Sequence, residues 1–540
     1  MPPDTLLLVG RVISLMPDDP GHTALGITDG RISWLGSTAE ALALGLPPER
    51  VLHRPHAVVV PGLIDSHAHL TNLGRGLTRL DLTDTPSLDA VVAKVASAPG
   101  EGWIIGRGWD QNDWQIKAPE AEKGRESGSL PRSDAFPDRA ALDAVTRRPV
   151  ALTRIDGHVL FVNSPALAAA GIDATTPDPP GGRILRRPDG SPTGVLIDAA
   201  MDRVQAVLPP PTREETRQAI LAATAACHRA GLTEVHDAGT GALELSVLEE
   251  LDAQGQLPLR VYAMLWADDP ALATRLEQGP SAGHMLTVRA VKLFGDGALG
   301  SRGAWLKAPY SDAPDTRGIP VTHGQALKDA VKRFAGKGFQ VGVHAIGDAA
   351  ATDALDAFEA VLTPGNDRRF RLEHAQIVAP ADQERMARLG IIAMVQPTHA
   401  TSDMPWAEAR LGPERIRHAY AWQSLRRAGV RLALGSDFPV ERPAAIEGLH
   451  AAITRTDGAH QPPGGWYPDE ALTARQALEG FTTDAAFAAF AEARRGRIAL
   501  GMDADLTLLS ADPLATPAEK IKEIKVLGVV VAGRPYEVAP

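Results

Sequence analysis

The sequence predicts an α/β protein: a closed (β/α)8 TIM-like barrel, a small composite β-sandwich domain built from both termini, and a subdomain inserted after the first barrel strand. Three observations predict it. Along the middle of the chain a short apolar run, a polar turn and an Ala- and Leu-rich helical stretch recur, which is the rhythm of parallel β/α architecture. Both ends instead alternate short β-rich pieces with turns. From about Thr71 to Pro211 the spacing is far longer than a connection between neighbouring units needs.

The first segment reads "TLLLVGRVISLM" and "TALGITDGRISWLGS", with Asp29-Gly30 as a hairpin signal between two apolar stretches. The last has the same texture in "RRGRIALGMDADLTLLSADP" and "KVLGVVVAGRPYEV", with Gly501 and Gly533 near turns. Neither end carries enough apolar residues to stand alone, so residues 1–56 and 491–540 are expected to share one sheet domain. Residues 57–490 then hold the barrel. Its eight strands are read as "AVVVPGLID", "LTEVHDAG", "LRVYAML", "RAVKLFGDG", "FQVGVHAIG", "FRLEHAQI", "IIAMVQP" and "VRLALGSDF". Stretches such as "REETRQAILAATAACHRAG" and "PADQERMARLG" are the helices between them. An open doubly wound sheet is the competing architecture, but its Gly-rich phosphate fingerprint is missing. The interruption, 72–210, contains "GWIIGRGWDQNDW", "PVALTRIDGHVLFVNSPALAAAGI" and "DGSPTGVLID", and reads as a folded insertion.

Length and composition bound the function. A chain of 540 residues suits two domains or one large barrel with additions, and 44% hydrophobic with 22% charged residues is a globular composition. A net charge of −11 gives no footprint for nucleic acid. No apolar run has membrane-spanning length, and the opening "MPPDTLLLVGRVISLMPDDP" lacks the basic and hydrophobic regions of a secretory signal, so a cytoplasmic protein is expected. Cys227 is the single cysteine, which excludes an internal disulfide and a thiolate-rich metal site. Any metal must bind through nitrogen and oxygen.

Ionisable residues recur at the strand ends: His67 and His69 on the first, Lys292 on the fourth, His344 on the fifth, His374 on the sixth and Asp437 on the eighth. Residues two apart on a strand point the same way, so His67 and His69 can both face the barrel axis and chelate one cation. In a closed barrel the other four converge on that point. Singly, a strand-end histidine is more often hydrogen-bonded structure, which is the reading for His236 in "LTEVHDAG". As a set, the six favour a metal. A protonated Lys292 cannot ligate; carboxylated by carbon dioxide, it would offer an anionic oxygen bridge.

In order and spacing, "PGLIDSHAHL", "GRGWDQNDW", "IDGHVLFVNSPAL", "VKLFGDGALGSRGAWL", "VGVHAIGD", "RLEHAQIV", "QPTHATSD", "LGSDFPVE" and "GMDADLTLLSADP" resemble the amidohydrolase superfamily over nearly the whole chain. The resemblance is to its YtcJ-like branch, amidohydrolase family 3, which includes N-substituted formamide deformylases. It implies that His67, His69 and Asp437 hold one metal, that His344 and His374 hold a second where one is present, and that carboxylated Lys292 bridges them. It also implies a possible homodimer acting on a small-molecule substrate.

With zinc as the expected divalent ion, the chemistry would be attack of a metal-bound hydroxide on a non-peptide C–N bond in an amide, formamide or carbamate. Asp437 would be the general base and acid, and His374 the other catalytic residue. His158 of the inserted region is a candidate substrate contact or a loop-organising hydrogen bond. Trp109, Asp110 and Trp305 are candidates against core packing, and His399, ending the seventh strand, is another. Arg302 in "GDGALGSRG" could meet a substrate carboxylate or form a structural ion pair; that glycine-rich stretch lacks the Walker spacing. "GGWYP" could form a rim near Trp466 or a plain turn. A ring deaminase of the superfamily would want a glutamate three residues beyond His344, where Gly347 stands. Two further functions compete: ester or lactone hydrolysis by the same metal hydroxide, and a metal-free scaffold role.

Overall fold

The computed structural model describes residues 4–538 except 19, 84, 112–113, 115–135, 155–158 and 180–181. The chain forms two compact units: Met1–Leu73 with Ile220–Pro540, and Gly74–Ala219. Among the described residues no helix is long and apolar enough to cross a membrane.

The larger unit is built on eight consecutive parallel strands: Leu63–Ala68, Leu232–Thr240, Arg260–Trp266, Leu286–Phe294, Gln340–Ala345, Arg371–His374, Ile392–Val395 and Arg431–Leu434. Their Val-, Leu- and Ile-rich sequences are buried on both faces, as a barrel requires. Helices cover the outside. In Gly324–Gly336 the residues Leu327, Val331 and Phe334 make one buried stripe at helical spacing. Pro380–Leu389 begins with proline in its first turn and stops at Gly390, whose φ of 68° is left-handed. A continuous core fills the layer between strands and helices, while Tyr262, Met264, Ala290, Ala489 and Ala491 form a separate cluster. The first and eighth strands are joined at their carboxyl ends, where the Asp437 N–H donates to the His67 carbonyl at 2.8 Å and the His69 N–H donates to the Phe438 carbonyl at 2.8 Å.

Both termini share one sheet, a seven-stranded path in the order Arg534–Glu537, Val526–Val531, Leu506–Leu509, Val51–Pro61, Thr5–Val12, Ala24–Thr28, Arg31–Gly36. Asp29 and Gly30, with φ of 50° and 72°, make the tight hairpin between the last two. One sequence reading is corrected: "AVVV" belongs to this sheet. Val58, Val59 and Val60 pair with Leu509, Leu508 and Thr507, and the barrel's first strand starts only at Leu63. Gly62 makes the handover, because a β-carbon there would sit 2.2 Å from Thr233 Oγ1.

The inserted unit has its own six-stranded sheet: Gly182–Arg186, Pro192–Asp198, Val159–Val162, Val150–Arg154, Ile104–Trp109 and Leu80–Asp81. Trp109, Leu152, Phe161 and Val195 are buried together in its core.

Candidate metal centre

The seam between the first and eighth strands carries the site. Asp65 accepts hydrogen bonds from the backbone N–H and hydroxyl of Ser436, at 3.0 and 2.6 Å, and from the His67 N–H at 3.2 Å. Gly435 leaves room for this, since a β-carbon would lie 2.6 Å from both Asp65 Oδ1 and His67 N. Asp437 and His374 both have left-handed backbones, with φ of 59° and 71°. Non-glycine residues held there cost about 1–3 kcal/mol each, and such strain gathers at functional sites.

Around Asp437 the imidazoles converge. His69 Nε2 lies 3.2 Å and His67 Nε2 3.7 Å from Asp437 Oδ1, and His399 Nε2 lies 3.8 Å from Oδ2. Two groups of donors could each hold one ion: His67, His69 and Asp437; and His374, His399 and Asp437. Lys292 Nζ stands 3.3 Å from His67 Nε2 and is sealed from solvent. His344, expected in the second group, packs its ring 4.5 Å from that of His374, but its Nε2 faces the Gly297 carbonyl and Asp296 Oδ1, each at 3.5 Å.

The residues fit a cation. Asp437 Oδ1 and His399 Nε2 are buried without a hydrogen-bond partner, and His69 approaches Oδ1 without aligning as a donor. Buried polar atoms normally find partners, so a bare carboxylate oxygen among imidazoles is what a cation site provides. Burial, reinforced by the Lys292 charge, drives His67 down to about 4, so its imidazole is neutral at neutral pH. Burial alone would raise Asp437, but His69, close at Oδ1, holds it well below the usual carboxylate range. Burial also lowers Lys292 to about 8. Thus the ligating forms, neutral imidazole and carboxylate, are those the surroundings favour.

Several supporting residues escaped the sequence reading. Glu373 bonds His67 Nδ1, and Gln396 Oε1 lies 2.8 Å from His374 Nδ1, so the second ring nitrogen of these two histidines is occupied. Arg371 pairs with Glu373 and with His236 Nδ1. Asp296, pushed up to about 7 by burial, accepts backbone N–H bonds from Trp305, Ile346 and Gly347. "RLEH" held a usable signal: Arg and Glu two apart on a fully buried strand face the same side and must be paired.

A cavity of about 390 Å³ opens on the donors, with Phe294, Leu299, Ile346 and Trp406 as apolar wall and Asp403 and Glu441 as acidic wall. His399 lines it. Arg302 and Trp305 do not. Arg302 pairs with Asp312 at 2.9 Å, and Trp305 is fixed through its backbone to Asp296 with its ring against His323. Within the inserted unit, Trp109 is fully buried with its indole N–H donating to the Leu152 carbonyl at 2.8 Å, so core packing accounts for it. Asp110 pairs with Arg154 at 2.7 Å. His158 lies outside the described residues. Trp466 is nearly buried, its indole N–H donating to Glu408 at 3.0 Å.

Comparison with known proteins agrees with this geometry. The sequence model described as "Amidohydrolase family" matches residues 56–536. YtcJ of Bacillus subtilis (strain 168), which carries the name of an amidohydrolase, is 34% identical, the match covering 97% of this chain and 98% of that one. The N-substituted formamide deformylase of Arthrobacter pascens is 28% identical, with 98% and 97% covered. Among solved structures, a metal-dependent hydrolase from Pyrococcus furiosus superposes with a TM-score of 0.77 at 28% identity, covering 94% of this chain and 99% of that one. The chain belongs to the amidohydrolase family and is a metal-dependent hydrolase of that superfamily.

Proposed function

We propose that the protein hydrolyses a non-peptide C–N bond in a small amide, formamide or carbamate, giving an acid and an amine. The observation that carries this reading is the Asp437 carboxylate, buried, ionised and bare at Oδ1, with three imidazole nitrogens within 3.8 Å of its two oxygens. Imidazole and carboxylate donors without thiolate suit zinc, held by His67, His69 and Asp437, with His374 available to a second ion. When bound, the cation supplies Lewis acidity, lowering the pKa of water to about 7 and polarising a carbonyl oxygen.

The side chains do the rest. Asp437 accepts the proton of the attacking water and returns it to the departing nitrogen as the C–N bond breaks. His399 Nε2, unpartnered and facing the cavity, donates to the carbonyl oxygen as negative charge builds there. Phe294, Leu299 and Ile346 exclude bulk water and so strengthen both interactions. Lys292 makes no ion pair with a carboxylate among the described residues. As a neutral amine it can add to carbon dioxide, releasing one N–H proton to water, and the resulting carbamate would offer an anionic oxygen donor to the cation site.

A ring deaminase fits less well. A β-carbon at Gly347 would lie 1.9 Å from the Trp305 carbonyl oxygen, so no proton-shuttling glutamate can stand there without moving the backbone. The test is metal analysis with a panel of N-acyl, N-formyl, carbamate and lactone substrates, before and after Asp437→Asn. Cleavage of an amide-type member that disappears in the variant supports the reading. Cleavage of lactones alone, of nothing, or equally by the variant overturns it.

A further inference from the structure

Glu373 and Arg371 are ionisable side chains with no exposed surface, and neither lines the cavity. Arg371 Nε donates to Glu373 Oε1 at 2.6 Å and Nη2 to Oε2 at 3.1 Å. Nη2 also donates to the Ser66 carbonyl at 2.7 Å, and Nη1 lies 3.1 Å from His236 Nδ1. A buried pair of this kind rarely adds stability over apolar packing, so its presence asks for another account.

The account lies on the far side of Glu373, where Oε2 meets His67 Nδ1. An ionised carboxylate only accepts, so Nδ1 carries the ring proton and Nε2 keeps its lone pair. Two further observations agree. Before any carboxylation Nε2 faces the Lys292 amine, which as an ammonium has donors and no acceptor. Gly342 also leaves the space that Glu373 uses, since a β-carbon there would lie 2.7 Å from Oε1. The guanidinium that grips Glu373 also grips the backbone of Ser66, next to His67, so ring and main chain are fixed together.

We propose that Glu373 is a positioning residue that locks His67 into the tautomer and orientation needed to bind a cation through Nε2, with Arg371 holding Glu373 in place. This rests on the cation-binding part of the function proposed above, not on the substrate.

The experiment is Glu373→Gln. Its amide keeps the size of the carboxyl group but can donate as well as accept, so the lock is lost. Zinc retention against a competing chelator is expected to weaken about 10- to 100-fold, with the melting temperature of the metal-free protein read alongside to separate loss of fold. Selective 15N-histidine spectra of the wild type, with His67 assigned by its loss in His67→Gln, should show a protonated Nδ1 and a bare Nε2. Undiminished zinc retention in the variant, no zinc binding by the wild type, or a wild-type Nε2–H tautomer overturns the proposal. If Glu373→Gln does not fold, the wild-type spectrum decides alone. A wild type that holds zinc but cleaves no amide sinks the substrate reading and leaves Glu373 standing.

Discussion

The backbone N–H of Asp437 donates to the carbonyl of His67 at 2.8 Å, so the bond that closes the barrel also sets two candidate ligands at a fixed separation. Gly435 is the residue that allows this approach, two positions before Asp437. Gly435→Ala would press a methyl group to 2.6 Å from Asp65 Oδ1 and His67 N. Overpacking of this kind costs about 1–3 kcal/mol. The expected outcome is a lower melting temperature together with weaker zinc retention, measured by thermal unfolding and chelator competition. A variant that loses stability but holds zinc as tightly as the wild type would separate the seam from the site.

The two ends of the molecule differ in how far the sequence revealed them. Barrel strands such as "LRVYAML" and "VRLALGSDF" were legible because short buried runs bounded by polar turns have few other uses. "AVVV" was misplaced because an apolar run does not say which of two sheets will bury it; here Leu506–Leu509 claims it. The ligand candidates were legible from their place at strand ends, but ring direction was not. His344 ends the fifth strand and His399 follows the seventh, and strand-end position alone does not reveal that His399 faces Asp437 while the Nε2 of His344 faces Asp296. Trp109 was read from chemistry shared by pocket and core, and the Leu152 carbonyl resolves it as core.

His399 provides a direct test of the donor role. It stands at the first turn of Pro397–Arg415, with Nε2 buried and unpartnered. Loss of one donor to a developing oxyanion costs about 10²–10³ in kcat. His399→Ala should lower kcat by that factor on an amide substrate, with KM little changed. Zinc content at the His67, His69 and Asp437 group should persist, measured by elemental analysis. If zinc and activity vanish together, His399 is a ligand and not a donor to substrate.

Lys292 is tested by its product with carbon dioxide. Zinc-loaded protein prepared in 13C-bicarbonate should show a carbamate carbon signal that is absent from Lys292→Gln. The same preparation without bicarbonate should hold less zinc, because the bridging oxygen ligand would be missing. A wild-type spectrum without the signal, at full zinc content, would exclude the bridge.

Acid stability is governed partly by His228, far along the chain from the site ligands. It sits near the end of the helix Arg213–Arg229, 7% exposed, with its ring 4.3 Å from that of Tyr536 in the terminal sheet. Burial lowers it from 6.5 to about 4, so the folded protein keeps it neutral while the unfolded chain protonates it below about 6.5. Its contribution is therefore present above pH 6.5 and is lost as pH falls toward 4, amounting to about 3 kcal/mol. His228→Gln removes the titration but keeps a polar side chain. Between pH 7.5 and 4.5 the melting temperature of the variant should fall less than that of the wild type, both measured free of metal. Comparing the two proteins at each pH cancels the shared protonation of the site histidines and carboxylates. An equal fall in both would mean that the His228 ring is hydrated in solution, and that its packing on Tyr536 does not hold it neutral.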